Sequence, residues 1–102
     1  MAFIKVAKVG DLKPNTGTFV PVGGKRIALF FLGDEYCATD DGCTHSTASL
    51  SCGWVDPATG CVVCPRHGAP YHIKTGKAQD KGLADLQTYP TRVVGEDVEI
   101  DV

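Results

Sequence analysis

The sequence predicts an all-β protein with a loop-rich insertion near its middle. Three observations predict it. Apolar residues recur with a period of two near both ends of the chain. Glycine-containing turn signals divide those stretches into strand-length pieces. Between them, from about Asp40 to Gly76, the composition shifts to Gly, Pro, Ser and Thr. That segment holds four of the five cysteines, all three histidines and the only tryptophan.

Taken in order, Phe3 to Val9 alternates as a strand does and stops at Gly10-Asp11. Gly17 to Val22 is a second strand, and Arg26 to Leu32 returns from it. Gly23-Gly24 between them suits a tight hairpin, whose central residues need positive φ. Gly33-Asp34-Glu35 turns into a strand at Tyr36-Cys37-Ala38-Thr39. Gln87 to Val94 and Val98 to Val102 flank Gly95-Glu96-Asp97, again a hairpin signal. Inside the middle segment, Cys61 to Cys64 and Tyr71 to Lys74 are expected as short strands. Helix is expected nowhere, apart from one short turn at Lys81 to Leu86. The expected organisation is a single domain over 1–102, with an antiparallel base at 1–39 and 77–102 and a smaller subdomain at about 40–76.

Composition narrows the function. The chain has 102 residues, of which 43% are hydrophobic. A domain this small buries proportionally less of its surface than a large one, so an internal brace such as a metal site helps it. The net charge is −2, and no basic excess points to nucleic acid or to an anionic membrane. The first residues lack the basic and apolar regions of a signal peptide, and no run approaches the length of a membrane span. The expected location is the cytoplasm. There, an odd number of clustered cysteines points to metal or redox chemistry rather than to structural disulfides.

Two short segments carry that chemistry: Cys43-Thr44-His45 and Cys64-Pro65-Arg66-His67. Each offers one thiolate and one imidazole. Soft thiolates suit Zn or iron–sulfur sites, and imidazole suits Zn or Fe. Pro65 and Gly68 fit a backbone that curls around a small site, one by fixing φ and the other by permitting unusual φ. The stretch Ser46 to Val63 separates the two segments and leaves room for a β excursion and return. Zn sites commonly pair C-x2–4-C with H-x3–5-H. C-x-H departs from that spacing, so iron–sulfur is preferred and a structural Zn module is the competing reading.

The pattern C-x-H followed by C-P-x-H-G resembles the Rieske pattern, in which two histidines replace two cysteines on one iron. The resemblance extends to Leu50–Asp56 with Gly53-Trp54-Val55, to Thr75-Gly76-Lys77-Ala78, and to the final strand pair around Gly95-Glu96-Asp97. Taken together, the chain resembles Rieske ferredoxins of bacterial aromatic-ring-hydroxylating dioxygenase systems. The resemblance implies a three-sheet antiparallel β fold with one 2Fe–2S cluster at an exposed tip. Cys43 and Cys64 would hold the inner iron, His45 and His67 the outer one. It further implies an electron carrier rather than an enzyme, most simply a monomer. The carrier would take single electrons from an NAD(P)H-dependent flavoprotein reductase and deliver them to a terminal Rieske oxygenase.

Rieske proteins of the respiratory type tie the two ligand loops with a disulfide. The corresponding positions here are Ala48 and Arg66. Those proteins also place a serine after His-Gly, where this chain has Ala69. Fewer hydrogen bonds to the cluster leave the reduced state less stabilised. The expected potential therefore lies toward the low end of the Rieske range of roughly −150 to +300 mV. Two features depart from the ferredoxin pattern. Ala78 to Leu83 lacks proline, and His72 stands where an acidic residue is common. Small subunits of assimilatory nitrite reductases share the fold but often lack the ligands, so four intact ligands count against that second reading.

The remaining residues receive ordinary roles. Cys37, Cys52 and Cys61 are expected to be buried or half-buried. Cys61-x-x-Cys64 looks like a redox motif, but Pro65 and Gly68 favour a loop. His72 is expected as a strand residue and Trp54 as packing beneath the loops. Tyr71 is expected either to pack or to hydrogen-bond near a ligand cysteine. Arg66 is expected to be solvated at the tip or to contact a partner.

Overall fold

The computed structural model describes residues 3–41, 49–64, 68–80, 82 and 84–102. The strands are β1 (Phe3–Lys8), β2 (Thr16–Val22), β3 (Lys25–Phe31), β4 (Tyr36–Asp40), β5 (Trp54–Asp56), β6 (Cys61–Val63), β7 (Pro70–His72), β8 (Thr88–Tyr89), β9 (Thr91–Val94) and β10 (Asp97–Asp101). Among the described residues they form three antiparallel sheets, ordered β1-β10-β9, β2-β3-β4-β8 and β5-β6-β7. The all-β, three-sheet expectation holds.

Strand β3 explains the architecture. Its central residues Ile27 to Phe30 are fully buried on both faces. Successive side chains of a strand point to opposite faces. Ala28 and Phe30 enter one core with Leu50, Val55, Val62, Cys64, Tyr71 and Ile73. Ile27 and Leu29 enter a second core with Val20, Ala38, Val98 and Ile100. The four-stranded sheet is thus the middle layer, between the β5-β6-β7 sheet and the β1-β10-β9 sheet. This double burial is why Ile27 to Leu32 reads as an unbroken apolar run instead of an alternating one.

Local chemistry sets the boundaries. Gly23 and Gly24 have φ of +57° and +77° and close the β2–β3 hairpin with Val22 opposite Lys25. In β1 the register shifts between Lys5 and Ala7, leaving Val6 as a bulge against β10. Gln87 to Val94 is not one strand, as the alternation suggested. It splits at Pro90 into β8, paired with β4, and β9, paired with β10. Proline has no N–H to donate to a ladder and so favours such a break. The Pro90 carbonyl still accepts the Asp101 N–H at 2.9 Å.

Other corrections are small. β5 was not anticipated, because three residues are too few to show a period. The strand expected over Tyr71 to Lys74 is shifted back to Pro70–His72, and residues 73–75 turn instead. The described residues of the Lys81–Leu86 stretch are not helical. Lys81 and Leu83 lie outside the described residues. A single 3-10 turn occurs at Leu50–Cys52. Among the described residues, no helix is long and apolar enough to cross a membrane.

Candidate metal centre

Of the four expected ligands, Cys64 is described. Cys43, His45 and His67 lie outside the described residues, as does Arg66. The described residues contain no cluster of three metal-binding side chains.

Cys64 follows directly on β6 and is a free thiol, 1% exposed. Its backbone fixes both stems of the second segment. The Cys64 N–H donates to the Ala69 carbonyl at 2.8 Å, and the Gly68 N–H donates to the Cys64 carbonyl at 2.9 Å. Gly68 has φ +71°, a conformation that side chains rarely adopt. Val63 lies opposite Pro70, so β6 and β7 hold the two stems side by side. Tyr71, fully buried, shares its core with Cys64.

The first segment is anchored by Asp41, a residue whose role the sequence did not disclose. The Leu50 N–H donates to the Asp41 carbonyl at 2.6 Å and closes the ends of the segment together. The Asp41 side chain is fully buried. Its Oδ1 accepts the Ser51 N–H at 2.8 Å, and its Oδ2 accepts the Ser49 hydroxyl at 2.5 Å. The Ser49 Oγ lies 2.9 Å from the Ser51 Oγ. Ser49 has already committed its one proton to Asp41, so Ser51 is the donor there. Ser49 occupies the cap position of the 3-10 turn yet makes no side-chain cap bond. Asp41 caps the turn from across the loop. The outer partner is Arg26, whose guanidinium lies 3.5 Å from Asp41 Oδ2.

The two stems meet. A Cβ on Gly53 would run into the carbonyl of Val63, the residue before Cys64, and would press on the Leu50 carbonyl. Leu50 and Cys64 lie in one core. The Asp41–Leu50 stem therefore stacks on the strand that presents Cys64.

Two expectations fail. Trp54, expected beneath the loops, is 65% exposed on β5, opposite Val63. Cys52 is exposed rather than buried. Cys37 and Cys61 are half-buried and buried, as expected. Burial, reinforced by Glu35 and Asp34 and opposed by Lys74, pushes the Cys37 thiol up to about 11. His72 is a half-buried residue of β7, its Nδ1 3.3 Å from the Thr75 hydroxyl.

A family model for the Rieske-like 2Fe–2S domain matches residues 2–101. The chain belongs to the Rieske-like 2Fe–2S domain family. It is 47% identical, over 74% of its length and 72% of the relative's, to the 3-phenylpropionate/cinnamic acid dioxygenase ferredoxin subunit of Shigella boydii serotype 4. In a complex of reduced oxygenase and oxidized ferredoxin from carbazole 1,9a-dioxygenase, a chain superposes with TM-score 0.88. That chain is 32% identical, over 96% of this chain and 100% of that one. The fold is shared more widely. A candidate NADPH nitrite reductase small subunit superposes with TM-score 0.87, at 27% identity over the full length of both chains.

The Rieske-like family implies one 2Fe–2S cluster. The two sequence segments offer the donor types of a Rieske centre, thiolate and imidazole, in which a pair of histidines takes the place of a pair of cysteines on one iron. Cys64 is a buried free thiol, held by its own backbone at the end of a strand.

Proposed function

We propose that Cys43, His45, Cys64 and His67 hold the 2Fe–2S cluster. On this reading the chain carries single electrons from an NAD(P)H-dependent flavoprotein reductase to a terminal Rieske oxygenase in aromatic-compound degradation. It acts in the cytoplasm, as a monomeric electron carrier. The chain is one domain over 1–102, with residues about 40–76 forming the cluster-binding part and 1–39 with 77–102 the base. The likeness to dioxygenase ferredoxin subunits carries this reading. The fold alone does not, because nitrite reductase small subunits share it. The intact ligand set favours the carrier.

The cluster supplies a one-electron couple when bound. The chain's own contribution is position. The Cys64–Ala69 and Asp41–Leu50 backbone hydrogen bonds bring together the residues that flank each ligand segment. With two ferric ions, two sulfides and the thiolates of Cys43 and Cys64, the bound site would sum to zero and would become −1 on taking up one electron.

The test is a transfer experiment. The dithionite-reduced chain, freed of dithionite, is mixed anaerobically with the oxidised oxygenase component of a 3-phenylpropionate dioxygenase. Reoxidation of the chain with matching reduction of the oxygenase is the expected result. Failure to transfer with an intact cluster would remove the oxygenase from the reading.

A further inference from the structure

Asp41 is fully buried, and its carbonyl accepts the N–H of Leu50, which shares a core with Cys64; in sequence it stands two residues before Cys43. Burying a carboxylate is costly unless its oxygens are satisfied. Here they are: the Ser51 N–H, the Ser49 hydroxyl and the Arg26 guanidinium converge on the two oxygens. The carboxylate is thus a fixed negative charge in a poorly solvated place, where charges act further than they do in water.

That charge has one counter-ion among the described residues. The Arg26 side chain is 65% exposed. Water and salt screen it well, whereas they screen the buried Asp41 little. The pair is therefore unequal as seen from the protein interior, and a net negative field remains. The backbone also ties the pair together, since the Asp41 N–H donates to the Arg26 carbonyl at 2.9 Å.

We propose that Asp41, with Arg26 as its surface counter-ion, sets the electron affinity of the cluster site electrostatically, beyond its part in anchoring the loop. This rests on the cluster assignment above. A site that passes from zero to −1 on reduction is opposed by a nearby fixed anion and helped by a nearby cation. Asp41 is accordingly a positioning residue with a redox consequence, and Arg26 partly offsets it from the surface.

The test is spectroelectrochemical titration at low ionic strength of the cluster-loaded chain and four variants. Asp41→Asn should raise the midpoint potential, because it removes the charge while keeping an amide to bond Ser51 and Ser49. Arg26→Gln should lower it by less, because Arg26 is screened. Arg26→Lys should restore the starting value. Ser49→Ala, which alters a hydrogen bond but no charge, should lower the unfolding temperature with a smaller change in potential. Opposite shifts for the two charge changes are the signature, because a purely structural role predicts no such reversal. Shifts of the same sign, or none with the cluster intact, would overturn the proposal. If Asp41→Asn does not retain its cluster, the Arg26 pair decides alone. A wild-type chain that carries no 2Fe–2S cluster would instead bring down the assignment on which the proposal rests.

Discussion

Cys64 is the proposed ligand whose surroundings are described, and they set it apart from the exposed Cys52. It is buried at a strand end, with both backbone polar groups used to close the ligand segment. Cys64→Ser should therefore abolish cluster retention, read as loss of the visible absorption and of iron. Cys52→Ser, at an exposed position, should leave both unchanged. The thiols also differ in reactivity, because the thiolate is the nucleophile. In the intact protein at mildly alkaline pH, iodoacetamide should label Cys52 first. Cys37, pushed up to about 11, should stay protonated and resist. Mass spectrometry of the digested protein reads this out, and equal labelling of the two would contradict the environment described. The proposed ligand types and their spacing rest on the sequence. The burial of Asp41 and the exposure of Trp54 were not legible there. A charge is buried only when distant partners satisfy it, here Arg26, Ser49 and Ser51. The exposure of an aromatic residue likewise depends on whether any element covers it. Neither leaves a local mark.

Strand β3 is where element-scale chemistry is clearest. Leu29 faces the core shared with β10, and Phe30 faces the core that contains Cys64. Leu29→Ala should cost about 2–5 kcal/mol of stability and Phe30→Ala about 3–5 kcal/mol. Only Phe30→Ala should also loosen cluster retention. Chemical denaturation with parallel iron analysis distinguishes them. Equal cluster loss in both variants would mean that the two cores are not separate in their effects. Gly53 makes a related case. Its φ of −75° is ordinary for any residue, so the difficulty of Gly53→Ala is steric. The new methyl meets the Val63 and Leu50 carbonyls. Overpacking of this kind costs about 1–3 kcal/mol, and here it falls between the two ligand stems. The β2–β3 hairpin was legible because Gly23-Gly24 is a local signal. β5 was too short to show a period, and the switch at Pro90 was obscured because the alternation runs through the proline.

At the scale of the whole molecule, the middle sheet is tied to its last strand by a hydrogen bond from the Tyr89 hydroxyl to Asp40 Oδ1, 2.7 Å long. Burial and this bond push the Tyr89 hydroxyl up to about 12. The unfolded value is about 10. A group whose folded value is raised contributes fully below the unfolded value and loses its contribution as pH climbs through the folded one. Stability from this contact should therefore be intact below pH about 10 and fall between about 10 and 12. Tyr89→Phe should lower stability at neutral pH and flatten that part of the alkaline decline. Urea midpoints across the range test it.

The three-layer arrangement also places both ligand stems on one face of the middle sheet, above a core that the sequence disclosed only as an apolar run. The central claim is that the site holds a His-ligated iron–sulfur cluster. The most direct measurement is iron, sulfide and zinc analysis of anaerobically purified protein, with low-temperature EPR after dithionite reduction. Two irons and two sulfides per chain, with the low average g of a His-ligated cluster, are predicted. One zinc without iron, and no EPR signal, would contradict the account and make Cys43, His45, Cys64 and His67 a structural site.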